Sequence, residues 1–476
     1  MTFKTLPYEN LLKEIGCVAD DLKYECYVVG GFVRDLLLNR DNDDIDVVVV
    51  GKGVEMAKTY VKYLRSWGRK AKYSLFENFG TAQVKVEDPE YGELEVEFVG
   101  ARKESYERGS RKPIVEEGTL KDDQLRRDFT INAMAICLNK KHFGKLVDPF
   151  NGVDDLKRGI IRTPVNPDIT FSDDPLRQLR AVRFAAKLNF DIDRDTFEGI
   201  QRNADRLSII SEERINVELM KILASDSPSK GIHLLLDSGL LEKFLPEVSK
   251  LNTDGRTEKI TYGHKNIFAH TLEVLSNVAA KTTNPWIRLA ALLHDIGKIP
   301  TRKYVPGTGY TFIGHETVGA NMVDVIFRRL KLPLDEHLTL VHNLVKLHMR
   351  PQSIASEGVT DSGVRRLVFD ADGHIDDLLI LAEADITTGK AWKKEKFISQ
   401  YEELKKRIEE LKQADFVRTF QPCVSGTDIM ERYGLSPCKK VGELKQIIKD
   451  AVLDGTVENT PEKLYEILDK EMNYDI

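Results

Sequence analysis

Residues 28–50 read VVGGFVRDLLLNRDNDDIDVVVV, and this stretch limits the possible folds more than any other. An apolar run stops at Gly30-Gly31, a short helical segment carries Arg34 and Asp35, and acids then alternate into a second apolar run. Side chains at i and i+2 of a strand share a face, so Asp44 and Asp46 point one way and Ile45 and Val47 the other. Neighbouring carboxylates repel, and burying either costs several kcal/mol unless positive charge lies between them. The pair therefore predicts a site for a hard divalent cation, and Mg²⁺ favours one or two carboxylates plus substrate phosphates. Gly30 and Gly31 leave room for backbone to approach phosphate oxygens at the start of the following helix. Such a strand–turn–helix–strand unit describes a nucleoside triphosphate site. A third carboxylate would complete a two-metal site, and the alternating run GELEVEFVG offers Glu95 and Glu97 on one face. Glu97 is favoured, with Glu95 as the fallback. In such a site one metal activates an attacking hydroxyl and the other steadies the leaving pyrophosphate.

A chain of 476 residues is too long for one ordinary domain, and length suggests roughly three. Residues 1–150 mix β-rich runs with helical segments and read as α+β. After 148–152 the strand signals fade, and 173–190, 196–206, 212–225 and 229–243 read as helices, with Ser211 as an N-cap. The polar stretch 249–263 is a boundary. From 264 to about 390 the pattern is helical again and holds eight of the ten histidines. Beyond it lie a charged amphipathic helix and a small helical tail. No apolar run approaches the ~18–20 residues that span a bilayer, and the first residues carry no secretory apolar core, so a cytoplasmic protein without a membrane partner is expected. Five cysteines without C-x-x-C spacing argue against disulfides and thiolate zinc, and are expected to be small buried hydrophobes. A net charge of −6 leaves nucleic-acid binding open, because that depends on where positive charge lies.

Five stretches occur in a fixed order: GGFVRDLLL…DDIDVVVV, RRDFTINAMAI (126–136), DPFNGVDDLKRGIIRTP (148–164), DDPLRQLRAVRFAAKLNF (173–190) and SEERINVEL (211–219). Together they resemble the bacterial tRNA nucleotidyltransferase/poly(A) polymerase family, class II of the polymerase-β superfamily, over roughly residues 25–245. The resemblance implies that Asp44, Asp46 and a carboxylate on a neighbouring strand hold the catalytic Mg²⁺ ions. It implies that Arg126, Arg127 and Asp128 read the ribose 2′-hydroxyl, and that Gly30, Gly31, Arg34, Asn132 and Arg180 also bind nucleotide. The family's E-D-x-x-R reads the base, and here Asp174 and Arg177 match while Asp173 stands in place of Glu. An Asp accepts from the exocyclic amine of cytosine or adenine and an Arg donates to the neighbouring ring nitrogen, so U and G present the wrong edge. Asp174 before Pro175 also reads as an ordinary N-cap, with Arg177 its i,i+3 partner; a capped helix and a rigid template are compatible. The polar stretch 101–125 reads as a long irregular loop. In the family a flexible loop here serves the switch from C to A addition, which favours full CCA addition.

His and Asp side by side at the end of an apolar helix, with further His and a late Asp on other helices, form a ligand set for a divalent metal pair. His294-Asp295, followed by Gly297-Lys298, resembles the HD phosphohydrolase domain. There His270, His294, Asp295 and Asp385 match the core ligands, and His315 and His348 the additional ligands of the two-metal form, with His342 competing for the last role. The metal would be Mg²⁺ or a divalent transition metal.

The expected organisation is a nucleotidyltransferase head (1–150), a helical neck that reads the base and binds tRNA (151–250), an HD domain (260–390) and a helical tail (391–476). The expected activity is template-independent addition of C, C and A to tRNA from CTP and ATP, with possible HD phosphohydrolase activity and no protein partner. The rivals are a poly(A) polymerase, whose long basic tail is absent from this sequence, a phosphohydrolase with a vestigial front end, which the intact Asp44 and Asp46 oppose, and a non-enzymatic RNA-binding scaffold.

Overall fold

A computed structural model describes residues 1–76, 80–105, 114–252, 266–387, 391–414 and 422–473. The chain forms two compact units, Met1–Phe244 and Leu245–Ile476.

The first unit is built on strands β1 (Glu25–Val29), β2 (Ile45–Val50), β3 (Ala71–Phe76), β4 (Thr81–Asp88), β5 (Gly92–Gly100), β6 (Arg102–Ser105), β7 (Ile114–Glu117), β8 (Ala135–Cys137) and β9 (Leu146–Val147). Seven of them make one mixed sheet in the order β3-β4-β5-β2-β1-β8-β9. Among these pairings only β2 and β5 run parallel, with Ile45 opposite Val96 and Asp46 opposite Glu97. β2 is central, and Ile45, Val47, Val48 and Val49 are all buried, as expected for a strand covered on both faces. β5 alternates instead, with Leu94, Val96 and Phe98 buried and Glu93, Glu95 and Glu97 exposed. The helix Gly53–Ser66 lays Met56, Tyr60, Val61 and Leu64 against the sheet, where the Tyr60 ring lies 5.8 Å from that of Phe98. Each such fully buried side chain contributes about 1.5–3 kcal/mol.

The expectation of an irregular loop over 101–125 is corrected. β6 and β7 pair antiparallel, Arg102 opposite Glu117, and a helix runs Leu120–Leu125. Thr119 opens that helix with a capping box, accepting from the Asp122 N–H while the Asp122 carboxylate accepts from the Thr119 N–H. The two strands are short and charged, so no apolar alternation announces them. Residues 106–113 of the expected loop lie outside the described residues.

Past the sheet the unit becomes helical, with Pro167–Asp173, Leu176–Leu188, Arg194–Asn203, Glu212–Leu223 and Pro228–Asp237 packing through Leu179, Val182, Ile200, Leu219, Ile222 and Leu235. Ser211 does stand at an N-cap, but its side chain accepts no bond from the helix; its carbonyl takes the N–H groups of Arg214 and Ile215. The neck helix starts at Leu176 rather than Pro175, and Asp174 Oδ1 accepts the Leu176 N–H at 3.1 Å.

The second unit is helical apart from a small hairpin at Lys303–Val305 and Gly309–Thr311. Its long charged helix, Ala391–Ala414, buries Tyr401, Leu404, Ile408 and Leu411. The tail helices gather around Ile429, Leu444, Ile448, Leu464 and Leu468. The cysteine expectation is corrected in part: all five are free thiols, Cys26 and Cys137 buried, but Cys17, Cys423 and Cys438 exposed. Cys17 sits on the outer face of the helix Glu9–Asp21, whose inner face takes Leu11, Leu12, Ile15 and Val18.

Candidate active site and second metal centre

β1 ends at Val29, and Gly30 follows with φ 72° and ψ −130°, a sparsely populated region that costs an L side chain about 1–3 kcal/mol. A Cβ on Gly30 would lie 3.1 Å from Arg127 Nη1 and 3.6 Å from Asp46 Oδ2, so the glycine keeps open the space between a cation and a carboxylate. This is the mouth of a cavity of about 530 Å³ lined by Gly30, Gly31, Arg34, Asp44, Asp46, Arg127, Asp128, Asn132 and Arg180. Nine residues expected at one site thus meet around one space. Asp35, Asp41, Asn42, Asp43, Arg183, Phe184 and Lys187 complete the lining and were not foreseen. Arg177, Arg180, Phe184 and Lys187 recur at steps of three and four along the helix Leu176–Leu188, so they share a face. That periodic mix of cations and one aromatic was the available signal.

The acidic side of the cavity is made by the sheet. The parallel register sets Asp46 beside Glu97, and Asp44 immediately precedes β2. Glu95 is engaged elsewhere, accepting from Gln83 and pairing with Lys85 Nζ at 3.2 Å, which favours Glu97 over Glu95. Burial pushes the Asp46 carboxyl up to about 6; Arg127 opposes the shift, while Glu97 and Asp44 add to it. Burial and Glu95 likewise raise Glu97. Carboxylates so crowded that one resists ionisation are a donor set that fits divalent cations.

The opposite wall is cationic. Arg127 is held against the fully buried Asp123 at 3.1 Å, with Arg126 on the same carboxylate. Arg34 donates to Asn132 Oδ1 at 2.8 Å, and Asn132 Nδ2 donates to Asp128 Oδ1 at 3.0 Å. Arg180 grips Asp128 Oδ2 through Nε at 2.8 Å and Nη2 at 2.5 Å. Phe184 lies under Arg34, Arg180 and Arg183, with guanidinium carbons 5.2, 5.6 and 4.3 Å from its ring centre. Asp128 is only 7% exposed and both of its oxygens accept protein hydrogen bonds, so it orders the wall that it helps to line.

Asp174 and Arg177, the pair expected to read the base, stand at the N-terminal end of the helix Leu176–Leu188, outside that lining. Asp174 Oδ2 lies 3.2 Å from Arg214 Nη2, and Arg177 donates to the carbonyl of Arg126 at 2.7 Å and to that of Thr170 at 3.4 Å. Pro175 rather than Asp174 is the N-cap residue, so the expected Asp cap is corrected to the single Asp174 bond to the Leu176 N–H.

In the second unit six predicted ligands converge from five helices. His270 lies on Ile267–Ala279, His294 and Asp295 end Pro285–Leu293, His315 begins His315–Arg329, His348 ends Glu336–Leu347 and Asp385 ends Ile375–Ala384. His270, His294 and Asp385 form one group and Asp295, His315 and His348 another. Asp295 joins the two: Oδ2 is 3.2 Å from His294 Nε2, and Oδ1 is 3.5 Å from His315 Nε2. The Nδ1 atoms of His294, His315 and His348 donate to the carbonyls of Ala291, Phe312 and Val345 at 2.7, 2.9 and 2.7 Å. A carbonyl can only accept, so each neutral ring turns an Nε2 lone pair inward. His315 Nε2 then faces His348 Nε2 at 3.3 Å, and His270 Nε2 faces His294 Nε2 at 3.4 Å. The facing lone pairs of His315 and His348 repel unless a cation lies between them, and the buried Asp295 Oδ1 has no hydrogen-bond donor. The donor set therefore fits divalent cations, which His270, His294 and Asp385 and the neighbouring Asp295, His315 and His348 would hold. Burial and the neighbouring His294 push His348 down to about 4, the neutral form that a metal requires. Burial disfavours charge on His294 as well, but Asp295 and Asp385 outweigh it and raise that ring to about 10, so a metal would have to displace its Nε2 proton. His342 is bonded to Asp324 at 3.0 Å and stands outside both groups. Gly297 allows this assembly, since a Cβ there would lie 2.0 Å from the His315 carbonyl oxygen.

Three family models match in order: the Poly A polymerase head domain over 26–162, the probable RNA and SrmB-binding site of polymerase A over 189–251, and the HD domain over 267–389. The A-adding tRNA nucleotidyltransferase of Deinococcus radiodurans is 33% identical over 72% of this chain and 77% of its own length. The CC-adding tRNA nucleotidyltransferase of Thermus thermophilus is 31% identical over 91% of each chain. The chain belongs to the tRNA nucleotidyltransferase/poly(A) polymerase family. Its backbone matches that of a solved family member, a CCA-adding enzyme in complex with CTP, with a TM-score of 0.62 and 25% identity over 98% of this chain and 93% of that one. The chain spans only 26% and 21% of the length of two other relatives, the A-adding tRNA nucleotidyltransferases of Geobacter sulfurreducens and Aquifex aeolicus. Among the described residues of this family member, no helix is long and apolar enough to cross a membrane.

Proposed function

We propose that the chain adds C, C and A to the 3′ end of tRNA from CTP and ATP, in the cytoplasm, by two-metal nucleotidyl transfer. The observation that carries this reading is the single cavity in which Asp44 and Asp46, with Glu97 beside Asp46 in register, face a wall of Arg34, Arg127, Arg180, Arg183 and Lys187. Mg²⁺ ions held by Asp44, Asp46 and Glu97 would lower the pKa of the tRNA 3′-hydroxyl and neutralise charge on the reacting phosphates. The arginines and Lys187 bind the triphosphate, Gly30 lets it approach the backbone, and Phe184 keeps three guanidinium groups in place. The tRNA 3′-oxygen attacks the α-phosphorus in line and pyrophosphate leaves, its charge met by the preorganised cations. Arg127 and the Asn132–Asp128 pair discriminate the ribose, and Asp174 and Arg177 read the base. The head, neck, HD and tail boundaries expected at 150, 250 and 390 belong to this reading.

Relatives are named separately for A addition and for CC addition. The paired stems around 101–125 support a chain that performs both steps. The deciding experiment offers purified protein three tRNAs, ending before CCA, after C and after CC, with one labelled nucleotide and Mg²⁺ at a time. Full CCA addition gives CTP incorporation on the first two and ATP on the third, all abolished by Asp46→Ala. Incorporation of only one nucleotide type assigns a partial activity, and a long adenosine tail assigns a poly(A) polymerase.

The six-ligand cluster supports a second activity, metal-dependent hydrolysis of phosphate esters at the HD centre. Release of phosphate or ring opening of 2′,3′-cyclic nucleotides that His294→Ala abolishes is the expected result; equal rates in both proteins reduce the unit to a scaffold.

A further inference from the structure

Asp46 and Asp44 are held by different means. Asp46 lies inside β2 and is fixed by the sheet ladder opposite Glu97. Asp44 precedes the strand, in an exposed acidic segment with Asp41 and Asp43 as neighbours. Like charges there repel, and a loose loop would relieve the repulsion by moving Asp44 away from Asp46. Tyr8 tethers the segment through its hydroxyl, which donates to Asp43 Oδ1 at 2.6 Å, and Asn42 holds the Asp44 backbone itself. Asn42 Oδ1 accepts the backbone N–H of Asp44 at 2.8 Å, and Asn42 Nδ2 donates to Asp35 Oδ2 at 2.7 Å. The amide orientation is settled by its partners, since a carboxylate only accepts and an N–H only donates. Asp35 is 6% exposed and also takes two bonds from Arg34, Nε to Oδ1 at 2.8 Å and Nη2 to Oδ2 at 2.7 Å. A single buried carboxylate thus holds both a guanidinium of the nucleotide wall and the amide that carries the Asp44 backbone.

We propose that Asn42 and Asp35 are positioning residues for nucleotidyl transfer, fixing Asp44 at the cavity and tying its placement to Arg34. The inference rests on the reading that Asp44 holds a divalent cation. Both side chains help to line the cavity, and each acts through the residue it holds, Asp44 for Asn42 and Arg34 for Asp35. Outer partners of this kind set metal affinity or activity by about 10–100-fold.

The test is a Mg²⁺ titration of CTP incorporation into tRNA lacking CCA, with the full chain. Asn42→Ala should raise the half-saturating Mg²⁺ concentration about 10–100-fold. Its KM for CTP at saturating Mg²⁺ and its melting temperature should stay at the wild-type values, a split that a general loss of structure does not produce. Asn42→Asp keeps the acceptor for the Asp44 N–H but sets a carboxylate against Asp35, so it should be impaired as well; wild-type Mg²⁺ response in that variant removes Asp35 from the proposal. An unchanged Mg²⁺ response in Asn42→Ala overturns it entirely. Asp44→Ala separates the two levels: if that variant still shows Mg²⁺-dependent transfer, the reading of Asp44 itself has failed.

Discussion

Asp128 shows how neighbours stabilise a buried charge. Burial would raise its pKa, but Arg180, with help from Asn132, outweighs burial and holds it at about 2. The folded value lies below the ordinary carboxylate value of about 3.9, so its contribution to stability is complete above about pH 4 and is lost as pH falls towards 2. A gap of roughly two units corresponds to about 2–3 kcal/mol. Urea unfolding between pH 5 and pH 2 should therefore lose stability more steeply in the wild type than in Asp128→Asn, and parallel curves would discard this assignment. Arg177 gives a second prediction at this scale. Arg177→Ala should increase incorporation of UTP and GTP relative to CTP and ATP more than it slows total transfer. Uniform slowing with unchanged base choice would leave Arg177 only its bonds to the carbonyls of Arg126 and Thr170.

Elements explain why widely separated residues meet. β2 and β5 are joined in parallel register, and that pairing alone brings Asp46 and Glu97 together across fifty residues of chain. The i,i+2 rule identified which side chains share a face within each strand, but it says nothing about which strands are neighbours. The helix Leu176–Leu188 does the same for the cations, because its three-and-four spacing puts Arg180, Phe184 and Lys187 on one side. The turn between β1 and the next helix is the most exacting backbone position. Gly30→Ala should cost about 1–3 kcal/mol of stability, from its sparsely populated backbone conformation, and should raise KM for CTP as the new methyl crowds Arg127. Denaturant unfolding and initial-rate kinetics measure the two effects, and a normal KM would show that the space over Gly30 is not used by the nucleotide.

At the scale of the whole molecule, the first unit lines a cavity with Asp44 and Asp46, and the second gathers histidines and aspartates at metal-binding spacing. Their chemistries should separate. His294→Ala is expected to lower the metal content of the purified protein and to abolish phosphate-ester hydrolysis while CTP incorporation proceeds at the wild-type rate. Metal analysis and the two activity assays read this directly, and joint loss of both activities would contradict it.

Much of the site was legible because its chemistry is local. D-x-D at a strand mouth, a Gly-Gly turn and His-Asp at a helix end each state a donor geometry within a few residues, so the sequence by itself determined which groups could bind a cation or a phosphate. The sequence favoured Glu97 but held no reason to set Glu95 aside; that Gln83 and Lys85 engage Glu95 is visible only in the packing of β4 against β5. The place of Asp295, with one oxygen beside each histidine pair, needed five helices to meet. Asn42 gave no signal at all, since an asparagine in an acidic loop reads as a turn residue until Asp35 is found 2.7 Å away. Tertiary structure alone decided these points, because periodicity places side chains on a face while only packing decides what that face meets.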